Sequence, residues 1–304
     1  MPGEVREPDA PLVRRLLGRQ YPDLADEYVR PSAAPGSSNW VFRVGDHYAV
    51  RLPREDGYVA DLDKEVIWLP RLAPELPVGV PSVRFRGSPC AEFSRPWTVV
   101  SWVSGRLPEN LSASEQATFA RGLGEFVRAL HAVDTWGQET GERQWGYRAG
   151  EPVTPTSDRW VEEATDALAD MFDPVRARHA WTLIRDVPPA SELPCWVHTD
   201  LSAENVLVED GGRLAGVIDF GGLGVGDRSV DLLYAWSLFD ESARDLFREA
   251  SGVDGATWRR ARAWAFAGPG LLTLANYRTS MPDRTRRLTR MVEAVAADVG
   301  VTLR

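Results

Sequence analysis

The sequence is almost without lysine: Lys64 stands alone, and arginine supplies the other 34 of its 35 positive charges. Any fixed cation that a site here requires must therefore be arginine, a rigid and permanently charged fork. Cysteine is nearly as scarce. Cys90 and Cys195 lie far apart with no His or Cys at ligand spacing, which excludes a disulfide framework and a cysteine zinc site and fits a reducing cytoplasm. Positive charge as a whole is in deficit, with a formal net charge of −9. That disfavours nucleic acid as a partner, because phosphate contacts need a basic footprint. It leaves two readings open, solubility alone or attraction of a cationic small molecule. Long apolar runs are missing too. Ala263 to Ala275 is interrupted by Gly and Pro and falls short of the roughly 20 residues of a membrane helix. Met1 to Pro11 mixes Glu4, Arg6, Glu7 and Asp9 with prolines and lacks the apolar core of a signal peptide. The expectation is a soluble cytoplasmic chain with no membrane partner, a monomer or weak homodimer.

What is present is enough for a sizeable core: 304 residues, 43% hydrophobic and 26% charged. This length suits a two-lobed body. Short β-type runs dominate at first, at Asn39 to Val44, Tyr48 to Leu52, Val83 to Arg86 and Trp97 to Ser101, with Gly45-Asp46 turning the first pair into a hairpin. One helix interrupts them near Ala60 to Leu72, where Leu62, Val66, Leu69 and Leu72 recur at helical spacing. The signals then change. Ser112 and Glu115 form a capping box before the stripe Phe119, Leu123, Phe126, Val127, Leu130. Further helices are predicted over Asp158 to Phe172, Val175 to Arg185 and from Ser229 onward, with short strands at Trp196 to Val197, Val206 to Val208 and Leu214 to Ile218. The reading is an α+β chain with a β-rich N-terminal lobe over 1–101, a hinge at 102–105 and a mainly helical lobe over 106–304.

The chemistry concentrates between residues 196 and 231. His198, Asp200 and Asn205 stand as H-x-D-x-x-x-x-N ahead of the apolar run Val206-Leu207-Val208. In the protein-kinase catalytic loop with this spacing, the Asp orients the attacking hydroxyl and accepts its proton while the Asn holds magnesium. Fourteen residues beyond Asn205, Val217-Ile218 delivers Asp219-Phe220-Gly221, matching the element whose Asp binds the magnesium that bridges the nucleotide phosphates. A hairpin through Glu209-Asp210-Gly211-Gly212 would set Asn205 beside Asp219. Two oxygen donors, completed by phosphate and water, are what Mg2+ takes from a protein. No Ala-Pro-Glu follows Asp219, which argues against a protein kinase.

The run His198-Thr-Asp200 to Asn205-Val-Leu-Val, then Gly216-Val-Ile-Asp219-Phe-Gly221, then Gly224-Val-Gly-Asp227-Arg-Ser-Val-Asp231-Leu resembles the signature of the aminoglycoside phosphotransferase family. Ala49-Val-Arg51-Leu-Pro53-Arg54, Lys64-Glu65 and Ala129-Leu-His131 extend the resemblance. It implies a protein-kinase-like fold and transfer of the γ-phosphoryl group of ATP or GTP, with Mg2+, to a hydroxyl of a small molecule. Acceptors in that family include aminoglycosides, macrolides and choline, and the favoured acceptor here is an aminoglycoside- or macrolide-like antibiotic. Alternatives are a kinase of a metabolite such as choline or a sugar, and a catalytically silent nucleotide- or ligand-binding relative. Thr199 stands where the family commonly has Gly, and Ser202-Ala203-Glu204 where it often has His-Pro-Gly.

By the same resemblance Asp200 is the catalytic residue, Asn205 and Asp219 hold the metal, and His198, Asp227 and Asp231 support the loops. Lys64 lies in the predicted helix, so Arg51 at the end of its strand takes the phosphate-facing position, with Glu65 as partner. Ser37 and Ser38, in the loop Ala34 to Asn39, would donate to phosphates in a lid, or belong to an ordinary hairpin turn. Glu162, Asp166 and Asp170 form an acidic stripe, either a solvated face or a receiver for an aminated acceptor. Asp240 and Tyr277 lie in helices that form the acceptor wall in relatives.

Overall fold

The structure is a computed structural model that describes residues 7–32, 36–140, 153 and 155–304. It is an α+β fold of the kinase-like kind, divided into two compact units. The first comprises 1–75, 79–104 and 216–223, and the second 76–78, 105–215 and 224–304. The expected break at 101–106 omits two features: the segment 216–223, read from sequence as part of the helical lobe, folds with the first unit, and 76–78, read as part of the N-terminal lobe, folds with the second.

The first unit is built on a five-stranded antiparallel sheet in the order β1-β2-β3-β5-β4. Its strands are β1 (Val29–Pro31), β2 (Asn39–Val44), β3 (Tyr48–Pro53), β4 (Val83–Gly87) and β5 (Trp97–Ser101). Gly45, at φ 54°, makes the turn from β2 to β3. One face of the sheet buries Phe42, Val44, Val50, Leu52, Trp97 and Val99 against Val13, Leu16 and Leu17 of α1 (Ala10–Gln20). Full burial of each such side chain contributes about 1.5–3 kcal/mol, which is why this helix docks. Asp9 caps α1 by accepting from the Leu12 amide at 2.8 Å, and Pro11 occupies its first turn, where no intrahelical donor is needed. Gly87 is dictated by packing, since a Cβ there would lie 2.0 Å from the Trp97 ring. Between β3 and β4 runs α2 (Val59–Leu72).

The second unit is mainly helical. Its long helix α3 (Ala113–Ala132) starts with the capping box of Ser112 and Glu115 and buries Phe119, Leu123, Phe126, Val127 and Leu130. At Gly124 a Cβ would meet Ala250 Cβ at 2.6 Å, so glycine lets α3 approach α7 (Glu241–Ser251) closely. Between these helices in sequence come α4 (Thr156–Ala167), α5 (Pro174–Ile184), β6 (Cys195–Val197), β7 (Val206–Val208), β8 (Leu214–Val217), β9 (Gly224–Gly226) and α6 (Ala235–Leu238). β6 pairs with β9 and β7 with β8. The chain closes with α8 (Gly255–Ala265), a π-helical turn (Phe266–Leu272), α9 (Thr273–Tyr277) and α10 (Pro282–Ala297). α4 ends earlier than its acidic spacing predicts, leaving Asp170 in the following turn. Among the described residues no helix is long and apolar enough to cross a membrane.

Candidate active site

In the second unit, the segment after β6 is held by one buried carboxylate. Asp231 Oδ1 accepts from the Thr199 amide at 2.7 Å, and Oδ2 from the His198 amide at 3.1 Å. The same Oδ2 is 3.0 Å from Nε2 of His131 on α3. These bonds hold Thr199 at φ 75°, a left-handed conformation that a β-branched residue adopts only under constraint. The Asp200 amide then donates to His198 Nδ1 at 3.3 Å, so His198 serves the loop as a backbone acceptor. Asn205 closes the turn: its Nδ2 donates to the Asp200 carbonyl at 2.9 Å and to Asp200 Oδ2 at 2.8 Å. With the amide nitrogen turned to Asp200, the acceptor that Asn205 can offer a cation is its oxygen.

Asp227 caps the turn Arg228–Leu232 that carries Asp231, accepting from Ser229 N at 3.0 Å. It also forms a buried two-point ion pair with Arg260 of α8, at 2.9 and 3.0 Å. Asp227 thus ties the turn that carries Asp231 to the helical core.

In the first unit, β3 places Arg51 between Val41 and Thr98 of its neighbouring strands. Its Nη1 pairs with Glu65 of α2, and its Nη2 lies 3.3 Å from Asp219 Oδ1. Burial pulls the Arg51 pKa down, but Glu65 and Asp219 together outweigh it and the guanidinium is held firmly charged. Asp219 has φ 63° and ψ 69°, a second left-handed non-glycine residue, and its side chain stays 38% exposed although Arg51 touches it. The segment is fixed to the sheet unit by the bridge of Gly216 with Gly79, where a Cβ on Gly216 would meet the Gly79 carbonyl at 2.6 Å.

Of the expected phosphate loop, Ala34 and Pro35 lie outside the described residues. Ser37 is exposed and Ser38 half-buried, with Ser38 Oγ accepting from Asn39 Nδ2 at 3.1 Å. Arg54 organises this loop: its amide donates to the Ser38 carbonyl at 2.9 Å, its Nε to the Gly36 carbonyl at 3.1 Å, and its guanidinium stacks on Trp40.

The residues expected at an acceptor wall are engaged locally. Glu162 takes two bonds from Arg178, at 3.0 and 2.9 Å, and Asp166 a third from the same guanidinium at 2.5 Å. Asp170 pairs with Arg278. The acidic stripe is therefore largely neutralised by arginine. Asp240 caps α7, accepting from Ala243 N at 2.9 Å, and Tyr277 is half exposed on α9. Sequence reasoning passed over Arg284 and Arg287 of α10. Arg287 pairs with Glu204, and Arg284 lies in the field of Tyr234, Asp200 and Glu204. Their i, i+3 spacing on one helix face was the available signal.

Taken one at a time, Asn205 in the second unit and Asp219 in the first each carry a hard oxygen donor of the kind that magnesium accepts. Among the described residues no group of three or more His, Cys, Asp or Glu could hold a metal ion.

Comparison with known proteins identifies the family. The sequence profile described as "Phosphotransferase enzyme family" matches residues 31–264. An aminoglycoside 3'-phosphotransferase of Escherichia coli is 28% identical over 195 residues, covering 62% of this chain and 67% of that protein. One from Streptomyces fradiae is 30% identical over 176 residues, covering 52% and 58%. Among solved structures, the GDP and kanamycin complex of an APH(2'')-type enzyme aligns over 94% of this chain and 98% of its own, with TM-score 0.66 and 19% identity. Macrolide 2'-phosphotransferase MphH from Brachybacterium faecium aligns over 93% and 97%, with TM-score 0.62 and 21% identity.

Proposed function

Since the chain belongs to the phosphotransferase enzyme family and is a nucleotide-dependent kinase, we propose that it phosphorylates a hydroxyl of an aminoglycoside- or macrolide-like antibiotic, with Asp200 as the residue that receives the acceptor. The observation that carries this reading is the Asp200–Asn205 contact at 2.8 Å, in a loop pinned from behind by Asp231. It fixes one carboxylate oxygen and thereby orients the other.

Asp200 orients the acceptor hydroxyl and takes up its proton as the oxygen bonds to the γ-phosphorus. The bond from that phosphorus to the β–γ bridging oxygen breaks, and ADP or GDP leaves. Asn205 and Asp219 would hold Mg2+, which when bound supplies neutralisation of the phosphate charge. Arg51, kept charged and aimed by Glu65, serves the nucleotide phosphates, and Ser37 and Ser38 lie in the loop suited to donate to them. Most of this catalysis is positioning and electrostatics, consistent with a loop built from so many short fixed contacts.

A second acceptor class has an observation in its favour. Arg178 neutralises Glu162 and Asp166, which weakens the case for a polycationic acceptor and brings a metabolite hydroxyl, such as that of a sugar, into the comparison. The test is mass spectrometry across aminoglycosides, macrolides, choline and sugars, with ATP and with GTP. A gain of about 80 Da on one acceptor, one phosphoryl group, supports the reading. Magnesium-dependent nucleotide binding with no acceptor modified would favour a silent ligand-binding relative.

A further inference from the structure

One ion pair of the second unit joins the segment between Asp200 and Asn205 to the C-terminal helix. Glu204 directly precedes Asn205, and its Oε1 is bonded by Arg287 Nη2, 83 residues away in sequence. The Asn205 amide bonds back to the Ser202 carbonyl at 3.0 Å, so residues 202–205 form a tight turn whose outer corner is Glu204. A displacement at that corner passes into the Asn205 side chain and from there to Asp200, which it bonds twice.

The helix supplying Arg287 is itself well anchored. α10 buries Leu288, Met291, Val292, Val295 and Ala296. One turn before Arg287, the Arg284 guanidinium faces Tyr234, Asp200 and Glu204. Burial by itself would lower the Arg284 pKa, but Tyr234, Asp200 and Glu204 more than offset it and keep the guanidinium charged.

The pair is poorly placed to stabilise the fold. Its side chains are 22% and 42% exposed, a setting in which ion pairs contribute little to stability. Its position matters more than its energy. We propose that α10 is a brace for the catalytic loop, in which the Arg287–Glu204 pair fixes the 202–205 turn and makes both residues positioning residues for Asn205 and Asp200. This rests on the assignment of Asp200 and Asn205 given above.

The test combines steady-state kinetics with amide hydrogen exchange on the full chain. Glu204→Gln and Arg287→Gln are expected to lower kcat roughly tenfold, in line with the sensitivity of such sites to small displacements, with KM for nucleotide little changed. The double variant should lose no more than either single one, and Arg287→Lys should recover most of the rate. Exchange across residues 199–208 should quicken in both single variants, while the melting temperature stays close to that of the parent. Arg286→Gln, on an exposed side chain paired with Asp283 of the same helix, is the control expected to behave as the parent. Unchanged kcat with unchanged exchange would overturn the brace, and so would a rate loss that merely follows a drop in melting temperature. The exchange arm needs no turnover: if no acceptor is phosphorylated at all, the assignment of Asp200 fails, yet exchange alone still decides whether α10 fixes the loop.

Discussion

At the scale of single residues, the positions proposed for the chemistry include strained backbone. Thr199 and Asp219 are two of the four described non-glycine residues with positive φ, and each adjoins or is a residue assigned to the reaction. For Thr199 the constraint is visible, because Asp231 accepts from both amides of the 198–199 pair. Such a conformation costs on the order of 1–3 kcal/mol. Thr199→Gly should therefore raise stability by about 1 kcal/mol, part of the relief being offset by the added freedom of the unfolded chain. Urea unfolding checks this; a loss of stability would mean that the threonine side chain makes a contact worth more than the strain. Cys195 gives a prediction in pH. Burial pushes its thiol up from 9.0 to about 12, with nearby Asp231, Asp227 and Glu192 adding to the rise against Arg228. The folded chain then holds a proton that the unfolded chain releases, so this residue's contribution to stability falls as pH climbs from 9 to 12. A thiol reagent at pH 8 should modify half-exposed Cys90 and reach Cys195 only on unfolding. Equal labelling rates would contradict the burial.

At the scale of elements, four of the five sheet strands were readable because each is a short apolar run bounded by turn residues, while the three-residue edge strand β1, Val29-Arg30-Pro31, carries no such run and was overlooked. β2, β5 and β7 fall where those runs predict. α3 was readable from its capping box and stripe. α1 was overlooked: Arg14, Arg15 and Arg19 make its segment look polar, and its signals were the Asp9 cap and Pro11. α10 hid its function for a related reason, since Arg284 and Arg287 look like solvated helix arginines until Glu204 is placed against them. The turn Arg228–Leu232 belongs to this scale as well, because its Asp227 is held by Arg260 with both side chains buried. Removing one member of a buried pair leaves an uncompensated charge, at a cost of about 3–5 kcal/mol. Arg260→Met is expected to destabilise by that amount and to loosen Asp231 and the loop it holds. Calorimetry showing a loss below about 1 kcal/mol would reduce the pair to a passive contact.

At the scale of the whole molecule, the motif spacing singled out Asp200, Asn205 and Asp219, while the sequence reading put all three in the helical lobe. Asn205 joins Asp200 in one unit, whereas 216–223 folds with the sheet unit, next to Arg51 and Glu65. That assignment depends on the Gly79–Gly216 bridge and the Arg51–Asp219 contact, pairings across more than a hundred residues that no local pattern encodes. The acidic stripe failed to declare its arginine partners for the same reason: Arg178 and Arg278 arrive on other elements. What remains central is the role of Asp200 as the group that receives the acceptor proton. The single-turnover rate of Asp200→Asn, with nucleotide and acceptor saturating, tests it most directly. Asparagine keeps the shape and removes the base, so transfer should slow by roughly 10²–10⁴-fold. A variant that transfers phosphate within a factor of about three of the parent would contradict the account.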